Sequence, residues 1–84
     1  MIPFEVVWTA NAQDAVSELP REVGARIIRK VKAASADPFR YFERLKGGPG
    51  WRLRVGDYRV VADLLAAESR IVVHDVGHRK NVYG

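Results

Sequence analysis

The chain has 84 residues, 48% of them hydrophobic and 29% charged, with no cysteine and a net charge of +4. That length has room for one domain, and the lack of cysteine excludes both a disulfide framework and a thiolate metal site. The stretch from Met1 to Trp8 carries Glu5 and has neither a basic n-region nor a long apolar run, so no secretion signal or membrane span is expected and a cytoplasmic protein is.

In chain order, Ile2 to Trp8 predicts a strand. Ile2, Phe4, Val6 and Trp8 alternate onto one face, and Pro3 fits the strand's start or an edge. Thr9 offers an N-cap oxygen for a helix to about Leu19, whose inward residues are Ala12, Ala15, Val16 and Leu19. Pro20 suits the first turn of a second helix, where its missing N–H would have no partner in any case. That helix extends to about Ala36, with an apolar stripe of Val23, Ile27, Val31 and Ala34 and with Ile28 at the margin. Arg26, Arg29, Lys30 and Lys32 lie away from the stripe, either solvated or turned toward phosphates. Asp37-Pro38 ends the helix, and so short a junction between the two helices predicts an antiparallel hairpin. Residues 39–50 read as a loop. Three strands follow at about 51–56, 58–65 and 70–77, and the tail from His78 to Gly84 is too short for a useful helix. The expected class is α+β, one domain over 1–84. An N-terminal strand and a two-helix hairpin precede a three-stranded antiparallel meander, with the helices on one face of the sheet.

Basic charge is unevenly spread. Residues 1–20 hold no Lys or Arg, so all 14 lie in 21–84 against seven acidic residues, leaving +7 there. Such an excess suits a polyanion such as nucleic acid, or a basic surface facing water. The middle strands favour the first reading. Val55-Gly56-Asp57-Tyr58 fits a two-residue hairpin turn with Gly56 at positive φ, which sets Val55 opposite Tyr58, Arg54 opposite Arg59, Leu53 opposite Val60 and Arg52 opposite Val61. Opposed residues share a side of the sheet. One side is apolar, with Trp51, Leu53, Val55, Tyr58, Val60, Ala62 and Leu64. The other carries Arg52, Arg54, Arg59, Val61 and Asp63. Opposed like charges cost roughly 0.2–1 kcal/mol, and such local inconsistency marks function. Phosphate binding explains it. The alternative is that Asp57 and Asp63 partly neutralise the arginines, which then fan into water. In the last strand, Ile71 and Val73 face the core while Val72 and His74 join the arginine side, His74 across from Val61. One residue more or less in the 66–69 loop would reverse that parity.

Four segments, taken in order, resemble the RelE/ParE toxin superfamily: Arg44-Leu45-Lys46-Gly47-Gly48-Pro49-Gly50, Trp51-Arg52-Leu53-Arg54-Val55, Asp57-Tyr58-Arg59-Val60-Val61, and Val76-Gly77-His78-Arg79-Lys80-Asn81-Val82-Tyr83. The resemblance covers the whole chain and is greatest to the ribosome-dependent messenger RNA cutters. It implies that Lys46, with Arg44 and Lys80, helps hold the RNA backbone. Arg52 and Arg54 then match two basic strand positions of the site, Arg59 a phosphate-binding arginine, Arg79 an arginine that favours leaving-group departure, and Tyr83 a tyrosine that stacks on a base.

The implied chemistry is attack by a ribose 2′-hydroxyl on the adjacent phosphorus, giving a 2′,3′-cyclic phosphate and a free 5′-hydroxyl with no metal or cofactor. Some relatives carry lysine where Arg52 and Arg54 stand, and use it as a general base. Arginine stays protonated and cannot serve. His78 or His74 could take that role, since histidine exchanges a proton near neutral pH. Otherwise the site relies on charge and geometry, or cuts feebly. His78 could equally be a turn residue. The implied partners are messenger RNA with the ribosome, and a cognate RelB-like antitoxin that wraps a monomeric toxin into an inactive hetero-oligomer. Alternatives on the same chain are a gyrase inhibitor of the ParE branch, a non-catalytic RNA-binding module, and an inactive relic that binds only its antitoxin.

Overall fold

The computed structural model describes residues 2–78. Its first strand, β1 (Glu5–Trp8), starts later than the alternation predicts, with Ile2 86% exposed. The chain is anchored instead at Phe4, whose N–H donates to the Ser35 carbonyl at 2.8 Å. Phe4, Val6 and Trp8 pack on the core as the pattern requires. Thr9 caps α1 (Ala10–Ser17), its hydroxyl accepting from the Ala12 N–H at 3.1 Å. Pro20 caps α2 (Arg21–Ala34) through its carbonyl, which accepts from the N–H groups of Val23 and Gly24. Ile27, Val31 and Ala34 are buried along one stripe. Gly24 is buried with them although it lies outside the predicted stripe. A Cβ there would sit 3.2 Å from Val16 Cγ1, so glycine is what allows the two helices to approach.

The segment after α2 corrects the expected loop. Asp37-Pro38 begins a further helical turn, α3 (Pro38–Tyr41), with proline at a position where its missing N–H is harmless. The buried Phe42 and a two-residue strand, β2 (Glu43–Arg44), come next. β3 (Trp51–Val55) and β4 (Tyr58–Leu65) pair antiparallel, Arg54 opposite Arg59 and Leu53 opposite Val60, around Gly56 at φ 59°. A 3₁₀ turn (Ala66–Glu68) leads into β5 (Arg70–His78).

The sheet order is β1-β5-β4-β3-β2, with β1 parallel to β5 and the other pairs antiparallel. β5 carries a bulge: Ala62 pairs with Val73 and Val61 with Asp75. His74 is therefore an extra residue and not the direct partner of Val61, and the alternation past it is reversed. Ile71, Val73 and Val76 are all buried as a result. Both long helices contribute to the core on one side of the sheet, through Ala12, Ile27, Val31 and Ala34 against Leu53, Val55, Val60, Ala62, Ile71, Val73 and Val76. Arg52, Arg54, Arg59, Val61 and Asp63 project from the other side. No helix among the described residues is long and apolar enough to cross a membrane.

Ile27 is fully buried while its neighbour Ile28 is 46% exposed. Urea denaturation of Ile27→Ala should show a loss of about 2–5 kcal/mol. The same measurement on Ile28→Ala should stay within about 1 kcal/mol of the parent.

Candidate nucleic-acid interface

Residues two apart on a strand share a face, so β3 presents Arg52 and Arg54 together, and the hairpin register adds Arg59 directly opposite Arg54. β2 is too short to cover β3. It sets Glu43 opposite Arg52 and Arg44 opposite Trp51, and among the described residues no strand pairs with the rest of that edge. There lies a cleft of about 350 Å³, lined by Tyr41, Glu43, Arg52, Leu53, Arg54 and Arg59. Arg52 Nη2 is 3.2 Å from Glu43 Oε2, and Arg54 Nε donates to the Gly56 carbonyl at 3.4 Å. An exposed pair such as Arg52–Glu43 adds little stability, but it aims one guanidinium. Three cations and one carboxylate leave the cleft positive, and guanidinium groups bind phosphate oxygens through paired N–H donors.

Tyr41 and Glu43 escaped the sequence reading because residues 39–50 looked like a loop. The available signal was Asp37-Pro38, which opens a helical turn as readily as it closes one. Other expected residues are placed elsewhere. Arg44 lies 5.3 Å over the Trp51 ring, with its strand partner on the helix side of the sheet, and Lys46 is exposed in the following turn. Neither lines the cleft. His78 is opposite Tyr58, with ring centroids 5.7 Å apart, and so belongs to the helix side, away from the three arginines. His74 does stand on the arginine side. Its Nε2 is 2.7 Å from Asp63 Oδ2, and its carbonyl accepts from Asn11 Nδ2 at 2.8 Å and from the Thr9 hydroxyl. Asp63, one of the two carboxylates expected to neutralise the arginines, is thus engaged by a histidine. Arg79, Lys80 and Tyr83 lie outside the described residues. Among the described residues no group of three or more His, Asp or Glu is placed to hold a metal ion.

The fold is that of the RelE toxins. A chain of the toxin–antitoxin complex RelBE2 from Mycobacterium tuberculosis is 25% identical, with a TM-score of 0.86, over 96% of this chain and 97% of that one. The archaeal RelE–RelB complex from Pyrococcus horikoshii OT3 gives 18% and 0.76 over 96% and 100%, and the intact E. coli RelBE complex 18% and 0.75 over 89% and 95%. A search of the curated proteins gave no match. The family model described as "ParE toxin of type II toxin-antitoxin system, parDE" matches residues 6–83. The chain belongs to this toxin family, within the RelE/ParE superfamily.

If the cleft holds phosphates, affinity for a short single-stranded RNA must fall with salt, the slope losing about 0.7 for each phosphate contact removed. Fluorescence anisotropy across a salt series should show that loss for Arg59→Ala. Arg70 is bound at 3.0 Å by both Glu5 and Glu68, far from the cleft, and Arg70→Ala should leave the slope unchanged.

Proposed function

We propose that this type II toxin is an endoribonuclease that cuts messenger RNA on the ribosome, and that a cognate RelB-like antitoxin holds it inactive. The observation that carries the reading is the convergence of Arg52, Arg54 and Arg59 from two strands on one cleft. A nuclease of this kind needs little else. The RNA supplies its own nucleophile, so the protein's tasks are to orient the strand and to stabilise negative charge as it grows. The ribose 2′-oxygen bonds to phosphorus as the bond from phosphorus to the 5′-oxygen breaks. The 2′-hydroxyl proton passes to a base in the cleft, and the departing 5′-oxygen takes one from solvent water. The three guanidiniums balance the charge on the five-coordinate phosphorus.

Arginine cannot accept the 2′ proton, and among the described residues lining the cleft the carboxylate is that of Glu43. It is the proton acceptor in this reading, with Arg52 holding it in place. The solved relatives support the antitoxin, since several of them are RelE–RelB complexes. A ribosomal substrate places the action in the cytoplasm. The family model's ParE name favours a second reading, gyrase inhibition, in which the arginines serve no cleavage.

Primer extension on messages from a translating extract tests both readings. Cuts should fall within the codon in the ribosomal A site. Arg54→Ala and Arg79→Ala should each slow cutting by on the order of 10²-fold. Glu43→Gln should slow it by about 10²-fold or more without weakening RNA binding. Uncut message beside supercoiling inhibition in a gyrase assay would replace this reading with the second.

A further inference from the structure

Tyr41 is a partition. On one side is the arginine cleft. On the other is a second hollow of about 390 Å³, lined by Lys30, Ala33, Ala34, Tyr41, Leu53 and Arg54. The two hollows share Tyr41, Leu53 and Arg54, so together they wrap the uncovered edge of β3, from the arginine face round to α2. Their chemistry differs. The first is walled by guanidiniums and a carboxylate. The second has a wall of alanine and leucine, with cations from Lys30 and Arg54 and one aromatic ring. Tyr41 is 51% exposed, and Arg40 lies over its ring at 5.6 Å from the centroid.

We propose that the second hollow is a nucleobase subsite. It takes the unpaired base of a nucleotide next to the phosphate held in the arginine cleft, stacked on Tyr41 and flanked by Lys30 and Arg54. The inference rests on the reading that RNA enters the cleft, and it adds the place where one of its bases goes. A flat apolar ligand with a phosphate attached matches the sequence of surfaces: ring and aliphatic wall for the base, cations at the junction for the backbone. Base-on-aromatic stacking is tolerant of sequence and is the usual grip on single strands. Lys30 gains a role as well. It lies on the basic side of α2, whose Arg26 already reaches the Gly56 turn, and lines the hollow together with Leu53 and Arg54 of β3.

The test is a coupling measurement with a single-stranded RNA carrying one 2-aminopurine, and a matched RNA abasic at that nucleotide. Tyr41→Leu should weaken binding of the intact RNA by about 5- to 150-fold and remove the fluorescence quenching, whereas Tyr41→Phe should keep both. The abasic RNA should bind wild type and Tyr41→Leu alike. Ala33→Glu, an exposed change that sets a carboxylate in the hollow, should also weaken binding. Equal affinity of wild type and Tyr41→Leu for intact RNA overturns the subsite. So does a Tyr41→Leu effect that is the same on abasic RNA. Weakened antitoxin binding with RNA affinity unaffected overturns it in favour of a protein occupant. If the coupling is present but a translating extract shows no cut message, the subsite stands and the nuclease reading fails.

Discussion

The pairing of Arg54 against Arg59 is the constraint on which the site depends. Two guanidiniums face each other across neighbouring strands because Gly56 turns the chain in two residues and leaves no other register available. A sheet under no other demand would place an opposite charge or a β-branched residue there. Here the repulsion stays, and Arg52 two residues away adds to it. Glu43 beside Arg52 and the Gly56 carbonyl beside Arg54 offset part of that cost. The same register sends Leu53, Val55, Tyr58 and Val60 toward the helices, so the arginine face cannot be lost without turning the core outward.

Two interruptions of the sheet give this face its shape. β2 stops after two residues, which leaves the edge of β3 unpaired by any strand among the described residues and lets Tyr41 and Glu43 of the preceding segment frame a cleft. In β5 the bulge at His74 breaks the alternation just where the strand meets α1. Thr9 and Asn11 hold the His74 carbonyl, so the helix start and the bulge fix each other's position. Bulges re-aim side chains, and this one directs His74 to Asp63 on the arginine face while keeping Val76 in the core.

Membership of the superfamily settles the fold and the toxin class, but the fold is shared by branches with different targets, and function belongs to the residues placed on it. In this chain those residues are three arginines and a glutamate around one cleft, with an aromatic ring that the cleft shares with a second hollow.

Much of the architecture was legible in the amino-acid sequence because it is written in local terms. The alternation of 51–65, the glycine in its turn, the threonine cap and the 3.6-residue stripe of α2 each follow from a few neighbouring residues, and they fix which side of the sheet the arginines occupy. The segment 39–50 was not legible, since Asp37-Pro38 signals the end of one helix and the start of another equally well, and burial of Phe42 depends on distant strands. Nor was the bulge, because a one-residue insertion into the pairing leaves no mark in β5 itself and is stabilised by Thr9 and Asn11, more than sixty positions away. The sequence by itself therefore determined the basic face, and only the tertiary structure decided that it borders a cleft and a second hollow. Periodicity is a property of the local chain, whereas a concave surface exists only where segments remote in sequence are packed side by side.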